Sequence, residues 1–231
     1  MLRGLLRKHL YTQNTIRYRV EWPRLREALR QAGKVKTLFD GGAGSGEFSR
    51  RALDDGLCER VIALEPPDGN YHFLQCNLGR DPRSQLLPAS LLEIPLQDAS
   101  VDAVLCTQVL EHIADHEKAA AELSRVLRPG GSAVITVPHP PEPFPNDGHM
   151  REGYTEADLT ALFAPHGWQP LRTDYFLTRD TTRRMMRASA LPAHGVYLPV
   201  ALIDQESGLA AAERRANQPF GILMLFKKPG D

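Results

Sequence analysis

Val35-Lys36-Thr37-Leu38-Phe39-Asp40-Gly41-Gly42-Ala43-Gly44-Ser45-Gly46-Glu47-Phe48-Ser49 is the stretch on which the reading of this chain turns. The apolar run from Val35 to Phe39 predicts a buried strand, and Glu47 to Leu53 a helix start. Between them lies a turn too rich in glycine to cover its own backbone. Such a turn lets a ligand lie against backbone N–H groups at the positive end of a helix dipole. A nucleotide-like cofactor is expected, and its identity has to come from residues further along.

Composition sets the limits. At 231 residues the chain is long enough for one domain with a good core, and 24% charged against 42% hydrophobic residues is ordinary for a soluble globular protein. Zero formal net charge argues against a dedicated nucleic-acid binder. The charge is uneven, because residues 1–36 hold ten Arg or Lys and only two acids, Glu21 and Glu27. That leader could favour an anionic acceptor or peripheral contact with a membrane surface, although a solvated helical face is the plainer reading. No run reaches the ~20 apolar residues of a membrane span, and the start of the chain lacks the apolar core of a secretory leader. Cys58, Cys76 and Cys106 are odd in number and widely spaced. They point to reduced thiols, no zinc site and a cytoplasmic protein.

The rest of the chain alternates. Residues 1–34 read as helix, with Leu25 and Leu29 four apart on one face. Strands are expected at 35–40, 60–65, 85–87, 101–106, 132–137, 168–176 and 221–227, and helices at 47–55, 116–128 and 155–163. Gly130 or Gly131 is expected to stop the middle helix in a left-handed turn, and Thr155-Glu156-Ala157-Asp158 to form a capping box. Strands alternating with helices indicate an α/β fold with a mostly parallel sheet covered on both faces. The expected organisation is a single domain: a helical lid at 1–34, a cofactor-binding core at 35–176, a helical insertion over the site at 177–217 and a last strand at 218–228.

The glycine turn by itself admits two cofactors. A dinucleotide fingerprint reads Gly-x-Gly-x-x-Gly, whereas the glycines here fall at 42, 44 and 46, one residue short. Asp40 would repel a pyrophosphate and attract a cationic amino-acid group. Glu65, at the end of the next strand, can accept ribose hydroxyls from either cofactor and does not discriminate.

The ordered set of motifs does. Glu65, then Ile94-Pro95-Leu96-Gln97-Asp98-Ala99-Ser100-Val101-Asp102, then Val109-Leu110-Glu111-His112-Ile113, then Arg125-Val126-Leu127-Arg128-Pro129-Gly130-Gly131 follow the turn in order. Over about residues 35–170 the chain resembles the class I S-adenosylmethionine-dependent methyltransferases, most of all the small-molecule branch with ubiquinone, menaquinone, sugar and natural-product enzymes. The resemblance implies a Rossmann-like seven-stranded, mostly parallel sheet with an antiparallel last strand, and methyl transfer to a small-molecule acceptor. It implies that Asp40, Gly41, Gly42, Gly44 and Gly46 form the turn around the methionine moiety, Asp40 facing its amino group. Glu65 would hold the ribose and Gln108 face the sulfonium. Ser90, beside Leu91, stands where the family usually has an Asp for the adenine amino group, so the resemblance implies a hydroxyl contact there in place of a carboxylate.

Methyl transfer from a sulfonium needs mainly positioning, and a base only when the acceptor is a weak acid such as a hydroxyl. His112 beside Glu111 is the first candidate base, and the competing reading is that this pair caps and orients its loop. His139 and His149 flank a proline-rich loop expected to wall the acceptor, and are the alternative bases. In the ubiquinone branch the side chains of this segment, usually Glu-Val-x-Glu-His, are linked to a divalent cation, and the segment opens on a Glu. Gln108 replaces it here, and an amide is a poor substitute for a carboxylate, so no metal is expected. Tyr11, Arg17 and Tyr18 are placed in the lid, where an aromatic could cover the sulfonium. Arg179, Arg183, Arg184 and Arg187 around Met185-Met186 could meet an anionic acceptor or be a solvated face. Trp168 and Tyr197 read as packing residues. Oxygen is the preferred acceptor atom. The rival readings are a carbon or nitrogen acceptor, a nicotinamide-dependent oxidoreductase, or a cofactor-binding module without catalysis.

Overall fold

A computed structural model describes residues 10–11, 13–67, 69–141, 148–189 and 198–230, with only the backbone described at 10–11, 13–17, 69, 185–189 and 198–201. The side chains of Tyr11, Arg17, Met185, Met186 and Arg187, and all of Tyr197, therefore lie outside the described residues.

Seven strands form one sheet in the order β4 (Ser84–Pro88), β3 (Cys58–Glu65), β2 (Val35–Gly41), β5 (Val101–Thr107), β6 (Leu127–Pro138), β9 (Gly221–Lys227), β7 (Gln169–Phe176). The first five run parallel, and β9 inserts antiparallel between β6 and β7. Every residue of β2 except Lys36 is buried, as expected for a central strand covered on both faces. A separate two-residue pairing joins β1 (Leu10–Tyr11) to β8 (Leu198–Pro199), so the leading segment is not helix throughout.

Helices cover both faces. On one side α1 (Gln13–Gln31), α2 (Glu47–Asp54) and α3 (Gly69–Leu78) bury Leu25, Leu29, Phe48, Leu53, Leu74 and Leu78. On the other, α4 (His116–Val126) and α5 (Glu156–Phe163) bury Leu123, Val126, Leu159 and Phe163. Phe163 stacks on Trp168 with ring centres 4.4 Å apart. Stacking of this kind adds about 0.5–1.5 kcal/mol beyond the area buried. Trp168 Nε1 donates to Ser124 Oγ at 3.2 Å, so its polar edge is satisfied inside the core. The Thr155–Asp158 capping box forms as expected at the head of α5.

Three local expectations change. Helix α3 follows Glu65 although its apolar periodicity is too weak to read. Helix α4 ends at Val126 and the chain enters β6 at once, with Gly130 (φ +69°) inside the strand rather than ending the helix. A register shift between Val101 and Ala103 accommodates it. The 177–217 segment contains α6 (Arg179–Ser189), α7 (Val200–Gly208) and α8 (Ala211–Ala216), and is anchored to the sheet by buried polar groups. Arg214 pairs with Asp174 of β7 at 2.6 Å, and Arg24 on α1 joins insertion and sheet by donating to Glu206 O at 3.2 Å and to Tyr175 O of β7 at 3.0 Å.

Candidate functional site

Parallel strands deliver their C-terminal ends to one edge of the sheet, and a crevice opens where neighbouring strands lead off in opposite directions. Here that point lies between β2 and β5, and a cavity of about 640 Å³ occupies it. Gly42, Ala43, Gly44 and Ser45 form one wall, Glu65 and Pro66 a second, Ser90 and Leu91 a third, and Thr107, Gln108 and Val109 the fourth. His112 and Ile113 close the end beyond Gln108, while Tyr18 and Phe48 reach in from α1 and α2.

The glycines divide their work. Gly42 (φ +79°) packs so closely on Val109 that a Cβ there would lie 2.4 Å from Val109 Cγ2. Gly44 (φ +55°) has nothing within 4 Å of a Cβ position, so a ligand can lie directly on its backbone. Gly41 and Gly46 do not line the cavity. A Cβ at Gly41 would meet Leu91 at 2.8 Å, and one at Gly46 would meet Leu74 at 2.7 Å, so both make room for neighbouring side chains.

The turn's amides are mostly engaged within the fold, contrary to the picture of an open N–H cradle. Gly42 and Ala43 N–H both donate to Leu64 O at 2.9 Å, Gly46 N–H to Ala43 O at 2.8 Å, and Gly44 N–H to Glu65 Oε2 at 2.8 Å. The same carboxylate thus ties the turn and borders the cavity, where it keeps capacity for further donors.

Asp40 is buried behind the turn rather than on the cavity wall. Ser49 Oγ on α2 donates to its Oδ2 at 2.6 Å, and its buried Oδ1 has no hydrogen-bond partner among the described residues. Burial pushes its pKa up to about 7, Ser49 opposes the rise, and the nearby Glu65 charge adds to it. The Glu65 carboxylate beside the open backbone of Gly44 suits ribose hydroxyls and disfavours a pyrophosphate, whereas Asp40 supports the turn from behind.

Gln108 follows β5 with φ +55°, a conformation uncommon for a residue with a side chain and frequent at functional sites. Its N–H donates to Thr136 O at 2.7 Å, which fixes it on the cavity wall. Ser90 lines the cavity, with its Oγ accepting from Leu92 N–H at 3.1 Å and its hydroxyl hydrogen left to donate.

Of the three histidines expected to act on the acceptor, the structure brings two together. His112 and His149 meet edge to face with ring centres 4.7 Å apart, and His112 borders the cavity. Burial and the neighbouring His112 hold His149 below the usual imidazole range. His139 instead packs on Tyr175, 5.6 Å between ring centres, away from the cavity, and burial lowers its pKa.

The His112 and His149 segments are stitched together. Met150 N–H donates to Glu111 O at 2.8 Å, and Arg151 Nη1 donates to Leu110 O and Ile113 O, each at 2.7 Å. Glu111 is fully buried beside the pair. One donor atom from each of Glu111, His112 and His149 falls within 4.8 Å of the others, although Gln108 had argued against a metal. The third donor comes from a distant loop that motif spacing did not connect to the pair.

Neither expected lid behaves simply as one. Helix α1 is a core helix that reaches the cavity through Tyr18, and no described residue of 177–217 lines the cavity. In the insertion, Arg179 bonds Gln218 at 2.6 Å and Arg184 bonds Gln205 at 3.0 Å, both on an exposed face. Sequence reasoning passed over Phe48 and Asn70, both of which line the cavity. For Asn70, a helix after β3 was the available signal, because parallel strands require a crossover.

The strand order, the switch-point cavity and the carboxylate at the end of β3 define the class I S-adenosylmethionine-dependent methyltransferase fold. Residues 39–135 match the methyltransferase domain family. A probable S-adenosylmethionine-dependent methyltransferase of Mycolicibacterium smegmatis is 34% identical over 159 residues, covering 66% of this chain and 58% of its own. The chain thus spans a little over half the length of that relative. Among solved structures, a sarcosine dimethylglycine methyltransferase assignment from Galdieria sulphuraria has the same fold, with TM-score 0.62 and 21% identity over 90% of this chain and 84% of that one. So does the 1,6-didemethyltoxoflavin-N1-methyltransferase of Burkholderia thailandensis, solved with S-adenosylhomocysteine, with TM-score 0.58 and 19% identity over 88% and 77%.

Proposed function

We propose that this protein transfers the methyl group of S-adenosylmethionine to a small organic acceptor, and that the accepting atom is oxygen. The observation that carries the reading is one cavity lined by two chemically different sets of groups. Glu65 and the open backbone of Gly44 are one set, and Gln108 with His112, which packs on His149, the other. The donor supplies an electrophilic methyl on a sulfonium and becomes S-adenosylhomocysteine. The protein's part is to hold the reacting atoms about 3 Å apart and in line. A hydroxyl acceptor must also lose its proton, and His112, backed by His149, is the group placed to manage it.

Engaged N–H groups in the turn and the Glu65 carboxylate on the cavity wall oppose the pyrophosphate of a nicotinamide dinucleotide. Zero formal charge is unlike a nucleic-acid methylator. No described helix is long and apolar enough to cross a membrane. Free Cys58, Cys76 and Cys106 agree with a reducing, cytoplasmic setting, which is part of the proposal.

Calorimetric titration with S-adenosylmethionine and with NAD tests the cofactor, and micromolar binding of NAD alone would overturn it. A labelled-methyl screen over phenols, quinols, sugars and amines tests the acceptor. Label found only on amines or on carbon would reject oxygen, and no label on any class would favour a binding module.

A further inference from the structure

Arg151 gathers the turn that carries His112. Its Nη1 donates to Leu110 O and to Ile113 O, each at 2.7 Å, and its Nη2 to Ala114 O at 3.0 Å. With Met150 N–H on Glu111 O at 2.8 Å, two adjacent residues hold the carbonyls of Leu110, Glu111, Ile113 and Ala114. Those carbonyls flank His112 on both sides, in a short 3₁₀ turn whose own N-cap makes no side-chain hydrogen bond. The buried Tyr154 hydroxyl adds a donor to Leu110 O at 3.2 Å and accepts from Arg151 Nη1 at 3.1 Å. The same segment reaches the imidazole, because His112 Nδ1 lies 2.7 Å from Gly148 O. A carbonyl only accepts, so Nδ1 carries the hydrogen and Nε2 is left as the basic nitrogen. The grip of Met150 and Arg151 on the backbone thus also keeps Gly148 O within reach of the ring.

We propose that Arg151 is a positioning residue for methyl transfer. By clamping residues 148–151 onto 110–114 it fixes His112 in the tautomer whose Nε2 is free to take the acceptor's proton. The inference rests on the reading of His112 as the base, and names the group that holds that base in one orientation. Arg151 itself does not line the cavity. The role calls for a guanidinium. Its planar fork presents donors to several carbonyls in fixed directions, whereas a lysine ammonium is a single point on a flexible stem. A rigid hold matters, because misplacing a reacting group by about 1 Å costs on the order of 10²-fold in rate.

Nitrogen-15 NMR of His112 without donor or acceptor, at about pH 8.5 where imidazole is neutral, reads the tautomer directly. We expect the Nδ1–H form in the wild type, and a mixture with the Nε2–H form in Arg151→Gln and Arg151→Lys. On a hydroxyl acceptor, Arg151→Gln should lower kcat about 10–10²-fold, with KM for S-adenosylmethionine within about threefold. Arg151→Lys, which keeps the charge, should fall between. The loss should vanish in a His112→Ala background, where no ring is left to place. Arg128→Lys, whose partner Asp102 lies at the opposite end of the sheet, should change neither reading. Circular dichroism and S-adenosylmethionine affinity establish which variants are folded. The wild-type tautomer in every folded Arg151 variant overturns the proposal, and so does a kcat loss equally large in the His112→Ala background. Full activity of His112→Ala would reject the base assignment alone, because the tautomer is read without any reaction.

Discussion

Ser49 on α2 donates a 2.6 Å hydrogen bond to Asp40 at the end of β2, and so binds the strand before the glycine turn to the helix after it. Asp40 is an acid whose native pKa, about 7, lies above its ordinary value of 3.8. Between those values the native state holds a proton that the unfolded state has lost. Stability from this group is therefore full at low pH, falls as pH rises through that window, and levels above pH 7. Asp40→Asn should lack this slope. Urea unfolding at pH 5 and pH 8 should show the wild type losing roughly 2–3 kcal/mol more than the variant. Parallel behaviour would mean that Asp40 titrates normally.

Glu65 serves the turn and the cavity at once. Glu65→Ala removes the partner of Gly44 N–H along with the proposed ribose acceptor. Hydrogen bonds to charged groups contribute about 1.5–3 kcal/mol each, so S-adenosylmethionine affinity should fall roughly 10–100-fold by calorimetry. Glu65→Gln, which keeps an acceptor oxygen, should fall between. Unchanged affinity in the alanine variant would remove Glu65 from the cofactor site.

Gly42→Ala should destabilise the protein by roughly 1–3 kcal/mol, through the 2.4 Å approach to Val109 and the positive φ. Adding Val109→Ala relieves the clash but not the backbone strain. A double-mutant cycle should therefore show partial recovery, and complete additivity would show that the two residues do not meet.

His112→Ala should lower kcat by about 10²–10⁴-fold on a hydroxyl acceptor while leaving S-adenosylmethionine affinity nearly unchanged. His139→Ala should leave kcat within about threefold, because His139 packs on Tyr175 away from the cavity. An equal loss in both variants would contradict the separation of these histidines.

Much of the fold was legible in the sequence because buried parallel strands leave short apolar runs, as in β2, β5 and β9. Helix α3 was not, since its apolar residues follow no strong period. Gly130 was read for its backbone freedom, which is real, but the strand rather than the helix uses it. In the site, Glu65 and Gln108 were legible from motif order. His139 and His149 looked equivalent, because both flank the same loop and only its path separates them.

The sequence by itself determined the α/β alternation, the glycine turn and the carboxylate after the second parallel strand. Those features depend on local backbone geometry and on residue types at short spacing. Only the tertiary structure decided that Asp40 is buried against Ser49, that Gly41 and Gly46 serve packing, and that His149 rather than His139 meets His112. Each of these depends on segments far apart in the chain, which local spacing does not encode.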